Sequence, residues 1–579
     1  MHENLNREYI LMKTTNIKKL SIISSFIAFS FLLSCSMIEE LEYEVVQNPL
    51  QMHGGDVTLQ INGKFVEKGI NAKAVAEVTP ILFCADGNEI PFQTEIFQGP
   101  KAAGNGKVVP KEGMSFSYSS TIPFQKSMAE AELKVLVKAK MGSKELEITS
   151  PKIADGTTTT PLLIDLDDQV ILTGDNFVRT NSFTKTAVIN FAKGKHNITS
   201  KETKDSDIKE ALDFISSSME EGSRINVLSV DISSYASPEG EVDLNTNLAE
   251  DRGKSAMSFL MSKAKRMKFE PAKEESFFNV SPKGEDWAGF KEEVTKTSHE
   301  DKELILRVLQ MTSDVNKREL EIRNMAKTYK FLEKEVLPQL RRSTITINYE
   351  KVGYSDDELA NLVGSNPDTL SVEEILHAGN LESDLNVKLK DYKEAQRLYP
   401  NDWRIANNIG YVLYVMGDVD GAGEAFEKAL SITDNPTVTN NVAAVKHRQA
   451  GKGNDDIISY LESSNTTESK YNLGLIRIEE GKYEEAITLM DKSKTYNLAL
   501  ANLLAEHYDV AGDIIVDANS SEANAFYLKA IMGARTNNSE MLYENLKSCF
   551  DKDASYKNKA KKDREFVTYF DNADFLALF

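Results

Sequence analysis

Two stretches of this chain repeat one another at a fixed distance, and that periodicity limits the fold more than any other feature. WRIANNIGYVLYVMGDVDGAGEAFEKAL begins at Trp403 and ESKYNLGLIRIEEGKYEEAITLMDKS at Glu468. Gly410, Gly417, Ala422 and Ala429 are answered by Gly474, Gly481, Ala486 and Ser493, each 64 residues later. TNNVAAVKHRQAGKGNDDIISYL lies between them as a degraded copy, so the underlying period is about 32. A unit of that length with small residues at recurring positions is a helix–turn–helix pair that buries its apolar face only by stacking on its neighbours. AFYLKAIMGARTNNSEMLYENLKSCF extends the series and AKKDREFVTYFDNADFLALF reads as a capping helix pair. Upstream, SDDELANLVGSNPDTLSVEEILHAGNL and NVKLKDYKEAQRLYP are helical in pattern, so residues 355–579 are expected to form one all-α solenoid.

The repeats resemble tetratricopeptide repeats, whose stacked pairs enclose a concave groove. Asn408, Asn441 and Asn472 fall at equivalent positions of successive first helices. Two readings are open for this ladder: it binds a peptide backbone or carboxylate terminus in the groove, or it hydrogen-bonds within the stack. The first makes envelope proteins the expected partners of the groove.

The N-terminal region has a different logic. From Met12, Lys13, Lys18 and Lys19 precede an apolar run from Leu20 to Leu33 that ends in FLLSC. The run is too short for a comfortable membrane span and has the layout of a secretory leader. The stretch resembles a bacterial lipobox, which implies lipid attachment to Cys35 and a leader over residues 1–34 with its true start at Met12. Residues 35–48 then form an acidic tether, and the implied location is the outer membrane, lipid-anchored and facing the periplasm. The acids behind Cys35 also allow display on the outer face. Cys35, Cys84 and Cys549 are too few and too dispersed for a disulfide framework.

Residues 49–165 carry strand signals. DVTLQINGKF and MSFSYSSTIPF alternate at period two, and AELKVLVKAKMGSKELEITS reads as a hairpin around Met141-Gly142-Ser143. A β-sandwich of roughly immunoglobulin-like type is expected, with IADGTTTTPLL as its exit linker. The rhythm then becomes strand, helix, strand, helix and, after a long helical stretch, strand, which predicts an α/β module over 175–354 with a helical insertion at about 269–337.

At the corner SYASPEGEVDLNTNLAEDRGKSA the α/β module resembles the OmpA-like peptidoglycan-binding domain of Bacteroidota-type lipoproteins. Gly240, Asn245, Leu248 and Arg252 match the family spacing, while Ser237 stands where the family has aspartate and Ser234 where it has glycine. The resemblance implies that an aspartate–arginine pair holds the zwitterionic side chain of the peptidoglycan stem peptide, Arg252 supplying a rigid fork to its carboxylate. Ser237 cannot neutralise an ammonium; either Glu239 restores the missing charge from the same loop, or Ser237 caps the loop and wall binding is lost. Arg252, placed in the first turn of its expected helix, opposes the helix dipole there; it serves the ligand or pairs with Glu250 or Asp251.

Catalysis finds no support. The seven histidines have no metal-ligand spacing, and no H-E-x-x-H, G-x-S-x-G or phosphate-binding glycine loop is present. No cofactor is expected. A formal net charge of −21 argues against nucleic acid as a partner. The expected protein is a non-enzymatic envelope lipoprotein that anchors to peptidoglycan and recruits proteins. The alternative is a scaffold subunit of an outer-membrane secretion or insertion complex without wall binding.

Overall fold

The computed structural model describes residues 27–29, 37–38, 41–517 and 522–579. Cys35 lies outside the described residues, as does most of the leader. The chain divides into two compact units, one formed by the segments up to Thr173 and from Ser383, the other by Gly174–Glu382.

In the first unit, the sequence alternation produces two β-sheets. Strand Asp56–Phe65 buries every second residue, and Val57, Leu59 and Ile61 face Leu82, Leu133 and Ile153 across the core. One sheet is built on Asp56–Phe65, paired antiparallel with Leu41–Val45 and Met114–Pro123; Ile27–Phe29 adds to Leu41–Val45 at its edge. The other is built on Val75–Cys84 between Ala131–Met141 and Glu95–Gln98. The hairpin at Met141-Gly142-Ser143 forms as its sequence suggests, with Gly142 at φ +62°. The expected tether is partly structure: Met37 is buried in the core and Leu41–Val45 is a strand. The expected exit linker is also structure, since Thr157–Thr158 pairs in parallel with Leu50–Gln51.

The helices from Leu385–Leu398 to Ser539–Lys552 stack in pairs. Trp403–Val415 packs on Val419–Ile432, and a Cβ on Gly410 would lie 2.6 Å from the Phe426 ring, which is why glycine recurs there. Gly417 and Gly481 turn the chain between paired helices with φ of +87° and +76°. The sandwich docks on this solenoid within the same unit. The His53 ring meets Tyr483 edge-on at 5.0 Å, Lys562 pairs with Glu130 at 3.1 Å, and Thr160 hydrogen-bonds Glu565.

The second unit is a two-layer α/β sandwich. Its sheet runs in the order Thr180–Asn190, Arg342–Val352, Ile225–Ala236, Phe278–Glu285. Ala187, Ile189, Val230, Ile232, Ile345 and Ile347 form one apolar face, packed under Ser206–Ser217 and Val242–Arg266. The insertion is not purely helical: Phe278–Glu285 joins the sheet parallel to Ile225–Ala236. That strand alternates weakly, because it is an edge with few buried side chains. The rest of the insertion forms a small helical cluster around Phe290, Ile305, Ile322 and Leu340. Helices Asp356–Ser365 and Val372–Leu381 belong to this unit, so its boundary with the repeats lies at Glu382/Ser383, beyond the residue 354 suggested by the sequence.

Candidate functional site: an asparagine-lined groove and a closed clamp

The asparagines at equivalent positions of successive helices all face one extended segment, and that segment is the chain's own. After the turn at Thr160–Leu163, residues 164–173 run without regular structure along the inner face of the repeats. The side-chain oxygens of Asn408, Asn441, Asn472 and Asn497 accept the N–H groups of Thr173, Ile171, Gln169 and Asp165 at 2.9, 2.8, 2.7 and 3.0 Å. Their amide nitrogens donate back to the carbonyls of the same four residues at 3.0, 2.8, 2.9 and 2.8 Å. Each carboxamide therefore closes a two-bond ring with the N–H and C=O of one strap residue. In an extended chain alternate residues present their backbone groups to the same side, which is why Gln169, Ile171 and Thr173 are the ones held.

A second row supports the first. Asn407 donates to Ile171 O at 3.0 Å and Asn440 to Gln169 O at 2.9 Å. Asn441 also donates to Asn407 at 2.8 Å, and Asn472 to Asn440 at 3.0 Å. The same carboxamides thus bond the chain's own strap on one side and one another within the stack on the other. All of these asparagines are buried, so an unmade bond there would leave a desolvated polar group. Asn497 and the partners Asn407 and Asn440 were not singled out in the sequence. The doublets Asn407-Asn408 and Asn440-Asn441 were a visible signal. Asn497 falls out of period because the helix before it, Tyr483–Leu489, is only 7 residues long.

At the centre of the strap the side chains take over. The Asp167 carboxylate accepts the Tyr471 hydroxyl at 2.8 Å and Asn497 Nδ2 at 2.8 Å. His447, fully buried, lies between Asp168 at 2.6 Å and Glu479 at 3.2 Å. Burial alone would lower the His447 pKa, but the hydrogen bonds from Asp168 and Glu479 outweigh it and raise it to about 9. Partial desolvation pushes Asp167 up to about 6, opposed by the Tyr471 hydroxyl, but the residue is exposed at the rim of the groove and solvent screens much of that shift. Asp165, Arg448 and Tyr414 complete the charged and titratable surroundings.

The sign of the pH dependence follows. A histidine raised from 6.5 to about 9 contributes stability that is full below pH 6.5 and disappears as pH rises through 9. A carboxyl raised to about 6 penalises the strapped state above that pH, which acts in the same direction. Strap protection against hydrogen exchange, corrected for intrinsic rates, is therefore expected to fall between pH 6.5 and 9. His447→Gln should flatten that dependence; an unchanged profile in the variant would contradict the assignment.

The clamp residues of the α/β unit also find their charge partners within the unit. Helix Val242–Arg266 begins ten residues before Arg252, which therefore sits in its third turn and not, as its spacing suggested, in the first. The dipole argument for a ligand role does not apply there. Arg252 is 1% exposed, and its guanidinium donates to the carbonyls of Lys195 at 3.0 Å, Tyr235 at 2.8 Å and Ala192 at 3.4 Å. Burial, and then the charge of Arg341, lower its pKa to about 10, so it remains a cation at neutral pH. Glu250 pairs with Lys254 at 2.6 Å instead of with Arg252.

Glu239 does bring an acid to this loop, but its partners are already present. Its carboxylate meets Arg341 at 2.7 Å and Lys193 at 3.0 Å, and Ser237 donates to it at 2.5 Å. Asn245 donates to Glu285 at 2.8 Å, and the Gly240 N–H is taken by Glu319 at 2.5 Å. Arg341, Glu319 and Glu285 come from the insertion or its border. The added segment thus closes over the loop where the resemblance placed a ligand.

Among the described residues no group of three or more His, Cys, Asp or Glu could hold a metal ion, and no helix is long and apolar enough to cross a membrane. No curated protein matches the sequence. Solved structures similar to part of the chain include the following three. YrrB, described as a tetratricopeptide protein with an unusual peptide-binding site, is 20% identical, with a TM-score of 0.22 over 36% of this chain and 100% of its own. PilW, a widely conserved type IV pilus biogenesis factor, is 14% identical, with a TM-score of 0.26 over 37% and 97%. A tetratricopeptide repeat protein from Parabacteroides merdae is 11% identical, with a TM-score of 0.28 over 37% and 91%. Residues 404–436 and 467–499 match the tetratricopeptide repeat family model, so the C-terminal helical array is a tetratricopeptide-type solenoid joined to a β-rich N-terminal region.

Proposed function

We propose that this protein is a non-enzymatic interaction scaffold of the cell envelope, lipid-anchored at Cys35 in the outer membrane and facing the periplasm, whose repeats engage envelope proteins. The observation that carries the reading is the asparagine ladder. It grips an extended backbone through bonds that any peptide unit can make, which is the chemistry a polypeptide-binding groove requires. The lipobox resemblance at Cys35 supports it.

Of the two sequence-level alternatives, the scaffold without wall binding is favoured. A clamp for a zwitterion needs an acid and a guanidinium with free valences facing solvent. Here Arg252 is spent on backbone carbonyls and Glu239 on Arg341 and Lys193. Opening the loop for a ligand would strand buried charges, at a cost of about 3–5 kcal/mol per broken pair.

Two measurements test this function. Affinity purification from native membranes should recover a stoichiometric protein partner; recovery of the lipoprotein alone would count against the scaffold. In sedimentation with diaminopimelate-type sacculi, the chain should remain in the supernatant. Retention that soluble stem peptide competes away would overturn the closed clamp.

A further inference from the structure

The strap is attached to the groove by a set of contacts that also describes what else would fit there. Residues 164–173 add no rung to any β-sheet and belong to no helix; their backbone is held by asparagine side chains. Those carboxamides read only an extended backbone. Side-chain selection comes from two further features. Val170 packs against the apolar cluster of Ala406, Phe426 and Val442, while Leu163 and Ile164 pack against the larger cluster further along the repeats. Between these anchors lies an anion receptor made of His447, the Tyr471 hydroxyl and Asn497 Nδ2, which takes the adjacent carboxylates of Asp167 and Asp168.

The self-fit is incomplete at one buried atom: Asp168 Oδ2 has no hydrogen-bond partner. Residue 167, in the same alternation as Asp165, Gln169, Ile171 and Thr173, is ringed by no asparagine and is exposed to solvent. An unmade bond in a desolvated site weakens the strap relative to a ligand that completes it.

We propose that residues 163–173 are a built-in pseudo-ligand, and that the groove exchanges it for an extended segment of a partner protein carrying two adjacent carboxylates between apolar anchors. The inference rests on the scaffold reading above and names its partner's chemistry. A segment with carboxylates at these two positions replaces the Asp168 partner of His447, which a basic segment does not. While the strap is seated it competes as a tethered ligand at high effective concentration, so free peptide of the same sequence binds poorly.

The test uses the full chain and a fluorescein-labelled synthetic peptide of strap residues 162–174. The double variant Gln169→Pro, Ile171→Pro removes two of the N–H groups that the asparagines accept and leaves the groove untouched. With helical circular dichroism retained, it should bind the peptide at least about tenfold more tightly than the unaltered chain. Asparagine at positions 167 and 168 of the peptide should reverse most of that gain. A folded variant that does not bind the peptide overturns the proposal, and so does a dimer by light scattering, since the occupant would then be a second copy.

Hydrogen exchange on the unaltered chain decides the case even if the variant does not fold. The amides of residues 165, 169, 171 and 173 should exchange through a local opening, faster than the core helix amides. Strap amides that exchange only on global unfolding make the strap a fixed core element and overturn the proposal. If the chain still recovers a stoichiometric partner in that case, the scaffold reading stands and this one fails.

Discussion

Asn441→Ala is expected to destabilise the repeat unit by about 3 kcal/mol. This side chain accepts from Ile171 N at 2.8 Å and donates to Ile171 O at 2.8 Å, and it joins Asn407 and Asn440 at 2.8 and 3.0 Å. Alanine leaves the Ile171 N–H and the buried carboxamides of Asn407 and Asn440 each short of a bond, at a cost of about 1–3 kcal/mol apiece before relaxation. The strap would loosen locally, so chemical denaturation and strap hydrogen exchange should report the loss together. Asn441→Leu should be no better, because the deficit is in hydrogen bonds and not in volume. A loss under about 0.5 kcal/mol would mean that water or a shifted strap replaces these bonds.

Glu239→Ala is expected to cost the α/β unit about 3–5 kcal/mol, the range for one partner removed from a buried ion pair. The carboxylate side chain is 5% exposed and that of Arg341 9%. Removing it leaves the Arg341 guanidinium facing the cation of Arg252, which already lowers the Arg252 pKa. The double variant Glu239→Met, Arg341→Met should recover most of the loss, since neither charge is then stranded. Equal stability of Glu239→Ala and the parent chain in urea would show that the pair is solvated and the loop open. In that case the wall-binding reading would regain its footing.

The parts of this fold that were legible in the sequence are those set by local periodicity. Alternation in DVTLQINGKF gave a strand, the glycines at 410 and 474 marked where paired helices touch, and the three asparagines identified the groove's inner wall. What escaped was long-range. Nothing local distinguishes IDLDDQVILTG from a linker, because its partners lie between 231 and 332 residues away and its bonds are made by side chains of other elements. Strand Phe278–Glu285 carries no strand signal in its sequence, because an edge strand with few buried positions has no clear alternation. The clamp was half legible. Glu239 does restore an acid to the loop, but Arg341, 102 residues on, had no motif to show that it would claim that acid first.

These failures share a cause. Motif spacing locates a site, whereas the rest of the chain decides whether the site is vacant. In this protein the strap fills the groove and the insertion closes the clamp.

The most direct measurement of that account is residue-resolved hydrogen exchange across 164–173 in the intact chain, compared with Asn441→Ala. Amides of Asp165, Gln169, Ile171 and Thr173 should be protected in the parent chain and lose that protection in the variant, while the flanking helices stay protected. Exchange of those four amides at unstructured rates in the parent chain would contradict the central claim that the groove holds its own strap.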